Sequence, residues 1–205
     1  MKNKALTLTL LAGLALGSLQ AHAAAVLDKA APLFTGKTAD GGTLALESLR
    51  GKTVVLEWTN HQCPYVKKHY DQSSNIPQLQ KAATAEGVVW VQLISSAPGK
   101  QGHVDGKTAL ELNQQRGAAP SNVVLDENGE IGKLYEAQTT PHIYIIDKAG
   151  TLVYKGGIDS IKSNKAEDIA KATPYVKEAL SAIAAGQKIP NANTQPYGCS
   201  IKYGA

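Results

Sequence analysis

Leu56-Glu57-Trp58-Thr59-Asn60-His61-Gln62-Cys63-Pro64-Tyr65-Val66 carries the chain from one kind of structure into another. Residues 53–58 contain the continuous apolar run Val54-Val55-Leu56, the pattern of a strand buried on both faces of a mixed sheet. A polar turn follows, and from Cys63 the apolar positions switch to helical spacing at Tyr65, Val66 and Tyr70. A cysteine at that junction opens a helix, where free backbone N–H groups and the positive end of the helix dipole stabilise a thiolate. The competing reading is a buried, inert cysteine, since cysteine is among the most buried residue types.

Working outward, the helical pattern from Cys63 is expected to be interrupted near Pro77 and to end at Gly87. Residues 88–94 read as a second buried strand, 95–107 as a polar loop and 108–115 as a helix. That alternation implies parallel pairing. Residues 123–125 form a short strand, and 143–147 and 151–154 an antiparallel hairpin joined through Lys148-Ala149-Gly150. Residues 166–185 form a final amphipathic helix. Ahead of the central strand, residues 30–51 carry short segments suited to edge strands, and Asp126-x-x-Gly129 and Asp147-x-x-Gly150 read as two turns. The run Gly102 to Thr108 imitates a phosphate-binding loop but is one residue short of Gly-x-x-x-x-Gly-Lys-Thr, so it reads as a surface loop.

The first 23 of the 205 residues have the build of a signal peptide: Lys2 and Lys4, an apolar stretch over 5–19, and Ala21-His22-Ala23 as a cleavage site. An uncleaved anchor is the alternative, but the run is short for a membrane span and no second one follows. The mature chain is expected in the periplasm or secreted, with no membrane contact after cleavage. Without Lys2 and Lys4 the 21 basic residues fall to 19 against 17 acidic ones, a net charge of +2. With only Arg50 and Arg116 as arginines, there is no footprint for nucleic acid. Residues 24–186 read as one domain and 187–205 as a tail.

That tail, irregular beyond Gly186 with Pro190, Pro196 and Gly198, ends in Tyr197-Gly198-Cys199-Ser200-Ile201-Lys202-Tyr203. A fraying terminus has no need of two tyrosines and a cysteine, so the tail is expected to dock on the body. Docking near Cys63 would bring together the only two cysteines, and a bridge between them requires Cα atoms roughly 4.4 to 6.8 Å apart. A purely structural staple would stabilise by roughly 4 to 5 kcal/mol in the chain-entropy model and leave two inert sulfurs. Thr139-Thr140-Pro141-His142 precedes the hairpin. A cis Thr140-Pro141 bond would leave backbone groups free beside a thiol, whereas an ordinary trans proline at a strand start is the commoner geometry.

In order, Asn60 to Val66 (Asn-x-x-Cys-Pro-Tyr-Val), Ser95 to Lys100 (Ser-Ser-Ala-Pro-Gly-Lys), Thr139 to His142 and Tyr197 to Tyr203 resemble the thioredoxin superfamily. They are most similar to exported redoxins of the alkyl-hydroperoxide-reductase and thiol-specific-antioxidant group. The resemblance implies an α/β thioredoxin-like fold with a central mixed sheet flanked by helices. It implies that Cys63 is the attacking cysteine, Cys199 its resolving partner and Pro141 the cis-proline facing Cys63. Thr140 would orient the partner, while Asn60, His61, Pro64 and His142 would tune the thiol or place substrate. The implied activity is thiol and disulfide exchange with a protein thiol or disulfide, or reduction of a small peroxide, with no cofactor and no metal.

The departures are specific. Val66 stands where a Cys-x-x-Cys motif has its second cysteine, so any disulfide cycle must use Cys199 or another molecule. Peroxiredoxins carry threonine or serine three residues before the reactive cysteine, where this chain has Asn60; Thr59 is one residue out of register. The peroxiredoxin arginine is replaced by the Thr140-Pro141-His142 segment, with Arg116 left as a candidate. His61, His69 and His142 around Cys63 would resemble a copper carrier, but the Cys-x-x-x-Cys pair of those proteins is missing.

Overall fold

Val54–Trp58 is buried along its whole length because it lies in the middle of a seven-stranded sheet, paired on both sides. The computed structural model describes residues 24–204, so the expected signal segment lies outside them. In chain order the strands and helices are β1 (Thr35–Thr38), β2 (Thr43–Ala45), β3 (Val54–Trp58), α1 (Pro64–Tyr70), α2 (Asn75–Ala85), β4 (Val89–Ile94) and α3 (Gly106–Gln115). There follow β5 (Asn122–Leu125), α4 (Glu130–Leu134), β6 (Thr139–Thr140), β7 (His142–Ile146), β8 (Leu152–Gly156), α5 (Tyr175–Ala184) and β9 (Cys199–Ser200). The large sheet runs β2-β1-β5-β4-β3-β7-β8, and β6 with β9 forms a separate two-stranded ribbon. Parallel pairing holds β3 to β4 and β4 to β5, as the strand-helix alternation implies, and β7 and β8 form the antiparallel hairpin.

Alternation along β3 divides the core between the two faces of the sheet. Val54, Leu56 and Trp58 pack with Phe34, Tyr135 and Tyr144 on one face. Val55 points the other way, into the cluster that α1, α2 and α5 build from Val66, Tyr70, Ile76 and Val176, and Cys63 belongs to that cluster. Each such apolar side chain contributes roughly 1.5–3 kcal/mol by leaving water. Glu57 is buried among these helices as well. Its carboxyl accepts hydrogen bonds from Tyr70 Oη (2.6 Å), Trp90 Nε1 (2.7 Å) and Gln80 Nε2 (3.2 Å), and burial raises its pKa in spite of these donors.

Several elements differ from the sequence-based expectation. The helix after Cys63 breaks at residues 71–74, where Ser74 takes a left-handed conformation (φ 53°), rather than at Pro77. Pro77 sits in the first turn of α2, where a missing N–H costs nothing. The final helix is shorter than expected: a 3-10 turn over Ala166–Lys171 is separated from α5 by Pro174, and the residue before a proline is steered away from helix. Only β2 is an edge strand of the lead-in, because β1 pairs on its other side with β5. Asp105 caps α3 by accepting the Thr108 N–H at 2.8 Å, so the phosphate-loop mimic is a helix start. Both Asp-x-x-Gly phrases form turns, closed by bonds from Gly129 N to Asp126 O and from Gly150 N to Asp147 O. Among the described residues no helix is long and apolar enough to cross a membrane.

Candidate active site

Cys63 stands between the end of β3 and Pro64, the first residue of α1. Its backbone N–H donates to Asn60 O at 3.0 Å, and its carbonyl accepts from Lys67 N at 2.9 Å, opening the helix. The turn before it is braced from within and from outside. Asn60 Oδ1 accepts the Gln62 N–H at 2.9 Å, and Gln62 Oε1 accepts the Gly102 N–H at 3.1 Å, tying the turn to the loop after β4. The Cys63 side chain is fully buried, and its thiol donates to the Thr140 carbonyl at 3.2 Å.

The Thr140–Pro141 peptide bond is cis. Thr139 and Thr140 then pair antiparallel with Ser200 and Cys199, so the tail lies as a short strand along the segment that faces Cys63. Gly198 makes this approach possible. Its φ is 144°, and a Cβ built there would stand 2.0 Å from the Thr140 carbonyl oxygen. Further contacts hold the tail on either side: the Ile201 N–H donates to Gln138 O at 3.0 Å, and the Tyr203 hydroxyl to Ala137 O at 2.8 Å.

Both cysteines are free thiols, and both meet Thr140, the Cys63 thiol at its carbonyl and Cys199 as its strand partner. Burial pushes the Cys199 thiol up to about 12, aided by its hydrogen bond with the Cys63 thiol and by the charge Cys63 carries when ionised; Lys202 works the other way. A docked Cys199 is therefore held in its protonated form. Bond formation between the two would release two protons and pass two electrons to an oxidant.

The remaining expected site residues are dispersed. His61 flanks the turn, and burial lowers its pKa, followed by the charges of Arg116 and Lys67. His142 lies in register with Trp58 and packs its ring on Tyr144 (4.6 Å between centroids), in the aromatic cluster of the face opposite Cys63. His69 faces Tyr197 and Asn75. The three histidines occupy separate environments instead of surrounding Cys63, and among the described residues no group of three His, Cys, Asp or Glu could hold a metal ion. Arg116 lies over the Tyr70 ring (4.4 Å) and bonds Asn113; it shares a small cavity with Thr59, Asn60 and His61 whose walls do not include Cys63. Lys68 is fully buried beside Asp159. Neither Glu57 nor the Lys68–Asp159 pair was identified from the sequence.

The buried histidines give the molecule an acid limit. Burial holds His69 down at about 4 and His142 at about 3, so both rings are neutral when folded and free to gain a proton when unfolded. Their stabilising contribution is complete above the unfolded value near 6.5 and declines as pH falls toward 4. Between pH 7.5 and 5 the loss is roughly 2 kcal/mol per ring. Urea midpoints measured across that interval should fall accordingly, and a flat profile would contradict neutral burial of both rings.

A mixed sheet with a parallel centre, a cysteine at the strand-to-helix turn and a cis-proline facing it define a thioredoxin-like redoxin. The chain belongs to the AhpC/TSA family, whose profile matches residues 27–155. That membership makes it a thiol-disulfide oxidoreductase or peroxidase-like enzyme. Among solved structures, it is similar to an uncharacterized conserved protein from Geobacillus kaustophilus, with 25% identity over 88% of this chain and 93% of that one and a TM-score of 0.74. A hypothetical protein from Sinorhizobium meliloti 1021 shares 19% identity over 88% and 96% of the two chains, with a TM-score of 0.73. The mitochondrial 2-cys peroxiredoxin from Plasmodium falciparum shares the fold at 17% identity, over 78% of this chain and 93% of its own, with a TM-score of 0.51. No curated protein matches the chain.

Proposed function

We propose that the protein is an exported thiol-disulfide oxidoreductase in which Cys63 attacks a disulfide and Cys199, delivered by residues 187–205, resolves the product. The observation that carries this reading is the pairing of Cys199 with Thr140, the residue whose carbonyl holds the Cys63 thiol. In the cycle, the Cys63 thiolate attacks one sulfur of a partner disulfide; the other sulfur leaves as a thiolate and takes a proton. Cys199 then attacks the mixed disulfide at Cys63. The partner departs as a dithiol and the two electrons it gained come from the Cys63–Cys199 pair. Thr140 and Pro141 orient the partner chain, Asn60 and Pro64 fix the attacking turn, and His61 stands beside it. The segment 1–23 would direct export to the periplasm or beyond and be removed, leaving 24–186 as the body. No cofactor enters this cycle.

Family membership also favours a second reading, a peroxidase in which peroxide oxidises Cys63 to a sulfenic acid that Cys199 converts to the disulfide, releasing water. Stopped-flow mixing of the reduced protein with a disulfide peptide and, separately, with hydrogen peroxide decides between them. The first reading predicts fast reaction with the disulfide and a peroxide rate near that of ordinary thiols. Rapid consumption of the Cys63 thiol by peroxide, with the disulfide left intact, would establish the second.

A further inference from the structure

Tyr197 is buried, and its hydroxyl is the meeting point of groups from three parts of the chain. It donates to Asp159 Oδ1 at 2.5 Å, lies 3.4 Å from Lys68 Nζ and 3.3 Å from His69 Nε2, and its ring packs edge-on against Tyr65. Lys68 and Asp159 are themselves buried, with Nζ and Oδ2 3.5 Å apart. Their other bonds are few, Lys68 having only the Ile161 carbonyl at 3.5 Å besides these two. A buried ion pair left with free hydrogen-bonding capacity is costly, so the tail hydroxyl completes it.

Lys68, His69 and Tyr65 all lie on α1, the helix that begins immediately after Cys63. A tail residue bound to that helix is thus fixed relative to the attacking thiol. Cys199 follows Tyr197 by two residues, a reach of at most about 7 Å. Holding Tyr197 therefore confines the second thiol to the neighbourhood of the first, which raises its effective concentration without touching either sulfur.

We propose that Tyr197 is a positioning residue for disulfide exchange, latched by Lys68 and Asp159, and that this latch sets how readily Cys199 closes on Cys63. The inference rests on the reading of Cys199 as the resolving thiol. Its test uses glutathione as the redox partner. As the bridge forms, two thiols lose two protons and two electrons, and one oxidised glutathione becomes two reduced molecules.

The mature wild-type protein is titrated first, and Tyr197→Phe, which keeps the ring and removes only the hydroxyl, is compared with it. The bridging equilibrium constant should fall about tenfold, and alkylation of Cys199 in the reduced variant should accelerate by a similar factor. Lys68→Met should act in the same direction. In the double variant the losses should be less than additive, because both break one knot. Wild-type values for both readouts in Tyr197→Phe, or strict additivity in the double variant, would overturn the latch while leaving Cys199 as the resolver. A wild-type protein that never bridges at any glutathione ratio would remove the resolving role and the latch together.

Discussion

Cys199→Ser is expected to stall the protein as a mixed disulfide, whereas Cys63→Ser should be inert in exchange. The asymmetry follows from geometry. Cys63 heads α1 and its thiol bonds to the Thr140 carbonyl, while Cys199 is held protonated, at about 12, as long as the tail is docked. In the proposed cycle Cys63 begins the reaction and Cys199 finishes it. With a disulfide peptide as substrate, Cys63→Ser should lose at least a thousandfold in rate, since removal of a nucleophile leaves only background exchange. Cys199→Ser should react once, then accumulate the peptide covalently on Cys63, visible as an added mass that reductant removes. Normal turnover in both variants would eliminate the mechanism.

Gly198→Ala should release the tail. A methyl group there would meet the Thr140 carbonyl oxygen at 2.0 Å, backbone that belongs to the site itself and has no flexible side chain to yield. The φ of 144° adds a conformational penalty, since residues with a Cβ avoid that region at a cost of about 1–3 kcal/mol. Once the strand pairing with Thr139–Thr140 is lost, Cys199 returns to water and toward its ordinary thiol range. Its alkylation rate near neutral pH should rise by one or more orders of magnitude. Bridging with Cys63 should weaken in parallel, while the main sheet, which does not include the Gly198 segment, keeps its strand pairing. Unchanged alkylation in Gly198→Ala would mean that the tail tolerates the methyl and that the close approach to Thr140 is not needed for docking.

Much of the architecture was visible in local pattern. The run Val54-Val55-Leu56 identified the central strand, and the switch of period after Cys63 identified α1. What escaped depends on partners distant in sequence. A glutamate inside an apolar strand gives no hint that Tyr70, Gln80 and Trp90 will all donate to it. The partners that bury Lys68, Asp159 and Tyr197, reach it from 91 and 129 residues away. The break at Ser74 has no side-chain signature, whereas Pro174, inside the helix expected over 166–185, is itself the signature of the break there. The separation of His142 from Cys63 was also readable. Strand alternation sends Ile143 and Ile145 to the Cys63 face and His142 with Tyr144 to the other.

The most direct test of the account is the fate of the two sulfurs. The reduced mature protein would be treated with one equivalent of oxidised glutathione, quenched in acid, alkylated and mapped by peptide mass. The account predicts a monomer whose Cys63 and Cys199 peptides are joined, and a bridge that reopens fully with dithiothreitol without unfolding. Persistent glutathione on Cys63 beside a free Cys199, or two free thiols throughout, would contradict it.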